Sequence, residues 1–340
     1  MSESKFGVLP SGETVQVFTL RNRHGMQVKV IEYGATIIEL LVPNRKQEFG
    51  NVVLGADSLD IYVKGFPAAS VIGRYANRIR DARFTLDGQV IEVTKNSGSN
   101  HIHGGRTNFA KVRWSGKAET GPDNAAVALR YTSVDGEEGF PGTLKASVTY
   151  RLSDSNELAI EYRAQTDKAT VINLTNHAYF NLNKPTEDVL AHELQLNAES
   201  YTVSDRSLIP TGEIATVANT PLDFREPHRI GERIAEVYAA AGGYDHNFVV
   251  AGELGKLRLA ARVQESKSGR VMECWTTEPG VQLYTANGFN GHPFPKHGGF
   301  CLETQHYPNS PNQPNFPSTV IRPGENWSST TVFRFSTTPE

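Results

Sequence analysis

The sequence predicts an all-β protein, a large antiparallel β-sandwich with one or two short helices. Three observations carry that expectation. Apolar residues recur at every second position in run after run, which is the period of a half-buried strand. Turn-forming Gly, Pro, Asn and Asp separate the runs. Helical periodicity stands out only once, near residue 230. Many short strands with little helix fit packed antiparallel sheets.

The elements follow in chain order. MQVKVIEYGATIIELLV (26–42) reads as two strands broken at Gly34, and FTLDGQVIEV (84–93) as a hairpin turning at Asp87-Gly88. AAVALRYTSV, LKASVTYRL and ELAIEYRAQ supply three more strands between 125 and 165. NLTNHAYFNL (173–182) alternates: Ile172, Leu174, Ala178, Phe180 and Leu182 share one face, and Asn173, Thr175, His177, Tyr179 and Asn181 the other. HRIGERIAEVYAA is the helical stretch, with Ile230, Ile234, Val237 and Tyr238 on one side. RVMECWTTEPGVQLYTAN (270–287) reads as a hairpin turning at Glu278-Pro279-Gly280, and TVFRFST as a last strand. The Gly/Pro/Asn-rich stretches 287–299 and 307–317 are long loops on this scaffold. No repeat, low-complexity tract or linker divides the chain, so residues 1–340 are expected to form one domain.

Composition narrows the function. A formal net charge of -3 and a pI near 6.4, with no basic block, argue against a nucleic-acid partner. The opening MSESKFGVLPSGETV lacks a basic segment followed by an apolar run, and no stretch approaches a membrane span. Cys274 and Cys301, the two cysteines, lie in apolar strand-like runs without CxxC spacing. Buried thiols of that kind point to a reducing compartment, the cytoplasm by default.

Four further stretches place reactive side chains where a plain sandwich does not need them. GRYANRI (73–79) supplies Arg74, Asn77 and Arg78 beside a glycine. NHIHGG (100–105) puts His101 and His103 on one side of an extended segment, followed by two glycines that let a ligand approach the backbone. GGYDHNFVV (242–250) brings Asp245, His246 and Asn247 ahead of an apolar run. In GFCLETQHYPNSPNQPNFP (299–317), Phe300 and Leu302 alternate with Cys301, Glu303 and Gln305, so Glu303 leaves the core on a rigid strand.

Each stretch alone has a bland reading. A strand histidine is more often a hydrogen-bonded structural group than a catalyst, an arginine can pair with a surface carboxylate, and Asp245-His246 can be an Asx turn. Glu303 resists that treatment, because a carboxylate in a buried strand is costly unless paired or set in a polar cleft. A metal could use the His-x-His pair together with His177 and Glu303. Against it, Gly104, Gly105 and Arg106 follow His103 where an acidic ligand would be expected. No metal is expected.

Together GRYANRI, NHIHGG, NLTNHAYFNL, YDHNFV and LETQHYPNSPNQPNFP resemble, in order, the motifs of the aldose 1-epimerases, or galactose mutarotases. SDRSLIPTGEIATVANTPLDF (204–224) is similar as well, so the likeness covers most of the chain. It implies a galactose mutarotase-like supersandwich that binds a hexose or pentose without cofactor or metal. It further implies Glu303 as catalytic base, His177 as acid and His103 as a second active-site histidine. Arg78, Asn77, Asp245 and Gln282 match positions lining the family's sugar site. Asn108 and Ala110 stand where the family usually has Gly and Asp, a difference that bears on sugar preference. Tyr179 and Phe289 are candidates to offer a ring face to the sugar. The resemblance leaves monomer and homodimer open, with a small sugar as the only partner. Two alternatives remain: a sugar-binding or sensing protein without turnover, and a phosphosugar epimerase using Arg74, Arg106 or Lys111 to hold a phosphate.

Overall fold

The longest alternating runs build the largest sheet. In the computed structural model, which describes residues 1–66, 69–121 and 124–339, nine antiparallel strands are ordered from Ser115–Gly121 through Asn124–Ser133, Leu144–Ser153 and Glu157–Thr166 to Trp327–Thr337. Arg270–Thr276, Arg258–Gln264, Glu193–Leu196 and His228–Arg229 complete it. In Leu144–Ser153 the buried residues are Leu144, Ala146, Val148, Tyr150 and Leu152, strictly every second position. Burying each large apolar side chain stabilises the fold by roughly 1.5–3 kcal/mol.

Two five-stranded sheets pack against this one. The first runs in chain order from Ser2–Val8 to Phe49–Asn51. It contains the expected pair Gln27–Ile31 and Thr36–Pro43 on either side of Gly34. The second, ordered Pro210–Thr216, Ser200–Ser204, Asp245–Val249, Gly280–Tyr284 and Cys301–Gln305, carries the residues of interest. One apolar cluster joins all three sheets, through Phe18 and Leu40, Val148 and Phe333, and Phe248 and Leu302. The Asp87-Gly88 hairpin forms as expected, both residues having positive φ. Both cysteines are free and buried. Among the described residues no helix is long and apolar enough to cross a membrane.

Three expectations are corrected. Residues 270–287 are not a hairpin: Arg270–Thr276 belongs to the nine-stranded sheet and Gly280–Tyr284 to the second five-stranded sheet. The segment between them carries the chain from one layer to the other. The helical stretch is reduced to a 3-10 turn, Ile234–Val237, followed by the four-residue helix Tyr238–Ala241. Ile230, Ile234 and Val237 are buried, but Tyr238 faces solvent. Residues 173–182 are extended, yet only Thr175–Asn176 pairs as a strand, with Val71–Ile72. Packing of Leu174, Ala178, Phe180 and Leu182 into the main cluster keeps the alternation where the ladder lapses.

Candidate active site

Register in the second five-stranded sheet sets one wall of the site. Asp245 lies opposite Tyr284, which lies opposite Cys301; one step along, Asn247, Gln282 and Glu303 are aligned. All six therefore share a face. Gln282 Nε2 donates to Asp245 Oδ1 at 2.6 Å and so orients that carboxylate. Gln305 Nε2, on the same face, reaches Gln282 Oε1 at 3.3 Å and Asn247 Oδ1 at 3.4 Å.

The second wall is made of loops around the short antiparallel pair Arg78–Ile79 and His101–Ile102. The peptide N–H of Asn77 donates to His103 Nδ1 at 3.1 Å, and the His103 N–H donates to the Asn77 carbonyl at 2.9 Å. Both residues have positive φ, 60° and 51°, a conformation that aims their side chains in a way no strand period describes. Gly104 follows with φ 82°, where a Cβ would overlap the Gly73 carbonyl. Asn108 closes this loop, its Nδ2 donating to the Gly105 carbonyl and its Oδ1 accepting from the Ala110 N–H. Asn77 Oδ1 accepts from the Arg78 N–H and guanidinium, and Arg78 Nη2 sits 3.5 Å from Asp245 Oδ2.

His177 and Glu303 meet between the walls. His177 Nε2 is 3.6 Å from Glu303 Oε1, too long for a hydrogen bond and short enough for charge attraction. The imidazole stacks on Tyr179 at 4.9 Å, and Tyr179 stacks on Phe289 at 5.1 Å. His103 meets the His177 ring edge-on at 5.3 Å. Glu303 is buried, and its Oε2 has no hydrogen-bond partner among the described residues. Burial pushes its carboxyl above the usual range, with Asp245 adding to the rise, while His177 and Arg78 oppose it. Burial, then the neighbouring His177, Arg78 and His101, hold His103 well below the ordinary histidine value, so its ring is neutral.

All seven anticipated residues, Glu303, His177, His103, Arg78, Asn77, Asp245 and Gln282, fall in this one network of contacts. Others do not. His101 and His103 do not share a side: His101 bonds the Thr94 carbonyl and packs edge-on against Phe140 in a separate small core. The Arg74 guanidinium is buried and donates to Ser133 Oγ and to the Ser133, Val134 and Pro141 carbonyls. It is a structural clamp, unavailable to a phosphate. Lys111 Nζ and the Arg106 carbonyl bond each other at the exposed rim. Tyr284 and Cys301 were not anticipated in the cleft, although each has the strand parity of a residue that was, Gln282 and Glu303.

Could the cluster hold a metal? One donor atom each from His103, His177 and Glu303 lie within 4.8 Å of one another. A ligating histidine normally donates its other ring N–H to an acceptor. His103 Nδ1 instead faces a backbone N–H, so the neutral ring carries its proton on Nε2 and is a donor there. These residues do not fit a three-ligand centre. They suit a molecule rich in hydroxyl groups on which two protons are moved.

Fold and cleft thus define an acid–base site for polyhydroxyl ligands on an antiparallel sandwich. Residues 16–334 match the family described as Aldose 1-epimerase, and the chain belongs to that family. It is 43% identical to the galactose mutarotase of Homo sapiens over 346 residues, covering 99% of this chain and 98% of that one. To the aldose 1-epimerase of Escherichia coli (strain K12) it is 36% identical, covering 96% of each. The structure of galactose 1-epimerase from Lactobacillus acidophilus NCFM superposes with a TM-score of 0.88 at 29% identity, covering 99% of this chain and 98% of that one.

Proposed function

We propose that this protein is an aldose 1-epimerase, interconverting the α and β anomers of free aldoses such as glucose and galactose. Glu303 is the base and His177 the acid. The observation that carries the assignment is the unpartnered Glu303 Oε2, a buried carboxylate oxygen beside an imidazole in a cleft lined with hydroxyl-binding groups. A protein that only bound sugar would need no carboxylate and imidazole matched as base and acid within 3.6 Å of each other.

Ring opening moves two protons. Glu303 takes the proton of the C1 hydroxyl while His177 Nε2 delivers one to the ring oxygen; the C1–O bond breaks and an aldehyde forms. Rotation about C1–C2 presents the other carbonyl face. On closure His177 recovers a proton from the C5 hydroxyl and protonated Glu303 returns one to the carbonyl oxygen. Both groups end as they began, so one pair serves both directions. The two oxygens on C1 are immediate neighbours, and side chains 3.6 Å apart can reach both. A positioned acid and base each contribute ~10²- to 10⁴-fold, and an imidazole changes protonation near neutrality. Arg78 supplies a fork of donors and Asp245 a pure acceptor for neighbouring hydroxyls. His103 adds the donor at Nε2, and Gln282 and Asn77 hold Asp245 and Arg78 in place. Phe289 offers a ring face to the sugar's C–H surface, whereas buried Tyr179 is stacked between His177 and Phe289 and backs the imidazole instead.

The reading includes one domain over residues 1–340, supported by the apolar cluster that joins the three sheets, and a cytoplasmic monomer or homodimer needing no cofactor. Polarimetry of freshly dissolved α-D-glucose and α-D-galactose is the test. Acceleration toward equilibrium is expected; no effect on any common aldose would remove the proposal. A glucose 6-phosphate arm should be slower, because Arg74 is fully engaged by backbone carbonyls.

A further inference from the structure

The His177 imidazole spans two side chains of one strand. Its Nε2 faces Glu303 Oε1 at 3.6 Å, and its Nδ1 lies 3.5 Å from Cys301 Sγ, within the range of a hydrogen bond to sulfur. Cys301 precedes Glu303 by two residues on the same face and is fully buried, packed with Leu54, Tyr179 and Ala286. Among the described residues Nδ1 has no other hydrogen-bond partner.

We infer that Cys301 is a positioning residue: its thiol sulfur accepts the His177 Nδ1–H and keeps the exchangeable proton of the ring on Nε2. The inference rests on the assignment of His177 as the acid. Two senses of the contact are conceivable. With S–H donating to Nδ1, the neutral ring would carry its proton on Nε2, and that nitrogen could not take a proton back from the C5 hydroxyl. With Nδ1–H donating to sulfur, Nε2 alternates between N–H and lone pair, as each half of the cycle requires. When the ring is an imidazolium only the second sense exists, because both nitrogens carry hydrogen. The thiol hydrogen then turns toward apolar neighbours at little penalty, since S–H is a weak donor.

Sulfur suits this task. Burial, with Glu303 and Asp245 nearby, raises the thiol well above its ordinary value, so the acceptor is neutral. A carboxylate in its place would stabilise the imidazolium, as the triad aspartate does, and make a less willing acid. The neutral sulfur orients the ring without that effect. His103, whose Nδ1 accepts from a backbone N–H, is held in the opposite tautomer 5.3 Å away. One histidine is thereby fixed as a donor and the other left free to cycle.

The experiment pairs histidine ¹⁵N NMR of the resting protein, at a pH where the ring is neutral, with steady-state kinetics of Cys301→Ala and Cys301→Ser. Wild-type His177 should show the Nδ1–H tautomer. C301A should mix the tautomers and lower kcat about tenfold with KM changed less than about twofold. C301S, which retains an acceptor, should restore the tautomer and most of kcat. An Nε2–H tautomer in wild type, or a C301A protein with unchanged tautomer and kcat, would overturn the inference. The NMR arm needs no turnover, whereas full activity in His177→Asn would sink the acid assignment, so the two failures are distinguishable.

Discussion

The two walls of the cleft are built by opposite means. Asp245, Gln282, Cys301 and Glu303 stand on three paired strands, and their direction follows from parity and register. Asn77 and His103 stand on loops at the ends of the short strand pair Arg78–Ile79 and His101–Ile102, held by main-chain N–H groups of these two residues, both with positive φ. The strand wall carries the proposed base and the sulfur behind the proposed acid, and the loop wall the neutral His103 ring and the Arg78 guanidinium. On the strand wall side chains orient one another, as Gln282 does Asp245, whereas His103 on the loop wall is locked by main chain.

The largest loss should come from the strand wall. Glu303→Gln preserves shape and removes the base, and kcat should fall about 10³-fold in polarimetry. His177→Asn should fall about as far. Because the carboxyl is buried with one oxygen unpaired, Glu303→Gln should unfold at the same temperature as wild type or higher. A lowered melting temperature with matching activity loss would mean that the glutamate serves the fold instead.

Gly104→Ala strains the loop wall. Its Cβ would overlap the Gly73 carbonyl, and its φ of 82° already disfavours a side chain. The loop must move, taking His103 with it, and kcat/KM should drop about 10²-fold. Gly98→Ala is the control: φ is 59° but nothing lies within 4 Å, so only the backbone penalty of roughly 1–2 kcal/mol applies. If both variants behave alike in a melt and in polarimetry, the close approach of Gly104 to Gly73 is irrelevant to the site.

The pH profile sharpens the comparison further, because charges from both walls act on Glu303. Burial and Asp245 raise its carboxyl, and His177 and Arg78 lower it. The base works only when ionised, so the acid limb of kcat/KM should lie above the ordinary carboxylate value of 4.5. Asp245→Asn should move that limb down and Arg78→Met should move it up, whatever each does to sugar affinity. The same shift has a stability sign: the folded state holds this proton more tightly, so the contribution of Glu303 to stability falls as pH rises from 4.5 through the raised value. Limbs that do not move in opposite directions would show that other groups set the profile.

The walls also differ in how far the sequence reveals them. Period-two alternation puts Glu303 and His177 opposite the apolar cluster; the sheet register agrees for Glu303, and the packing of Leu174, Ala178 and Phe180 agrees for His177. It puts Cys301 on the Glu303 face as well, but the contact of its sulfur with His177, remote in sequence, has no local signal. Alternation failed at His101 and His103, because positive φ at His103 and Gly104 ends the strand between them. Arg74, a candidate to hold a phosphate, is instead engaged by carbonyls around Ser133, a clamp of distant groups with no local signature. Around Glu278-Pro279-Gly280 a turn-forming tripeptide suggested a hairpin, but the flanking strands join different sheets. Strand direction is a local property, whereas loop conformation and sheet pairing depend on contacts remote in sequence.

The seam between the walls offers the mildest test. Asn173 donates to the Ala76 carbonyl on the loop side and to the His306 carbonyl just past Gln305, and accepts the His306 N–H. The His306 ring is fixed from behind by Glu278, Nδ1 to Oε2 at 2.6 Å, with Arg258 donating to the Glu278 carbonyl. Burial opposes a charge on His306, but the Glu278 charge and hydrogen bond together outweigh it and raise the ring above its ordinary 6.5. A raised histidine gives stability that is fully present below 6.5 and lost as pH climbs through the folded value. Glu278→Gln keeps a polar partner without the charge. Its melting temperature should fall furthest below wild type under acidic conditions, and the gap should narrow as pH rises. Turnover should change less than about threefold, since neither group reaches the cleft. A gap that stays constant with pH would mean that the pair is not charged in the folded protein.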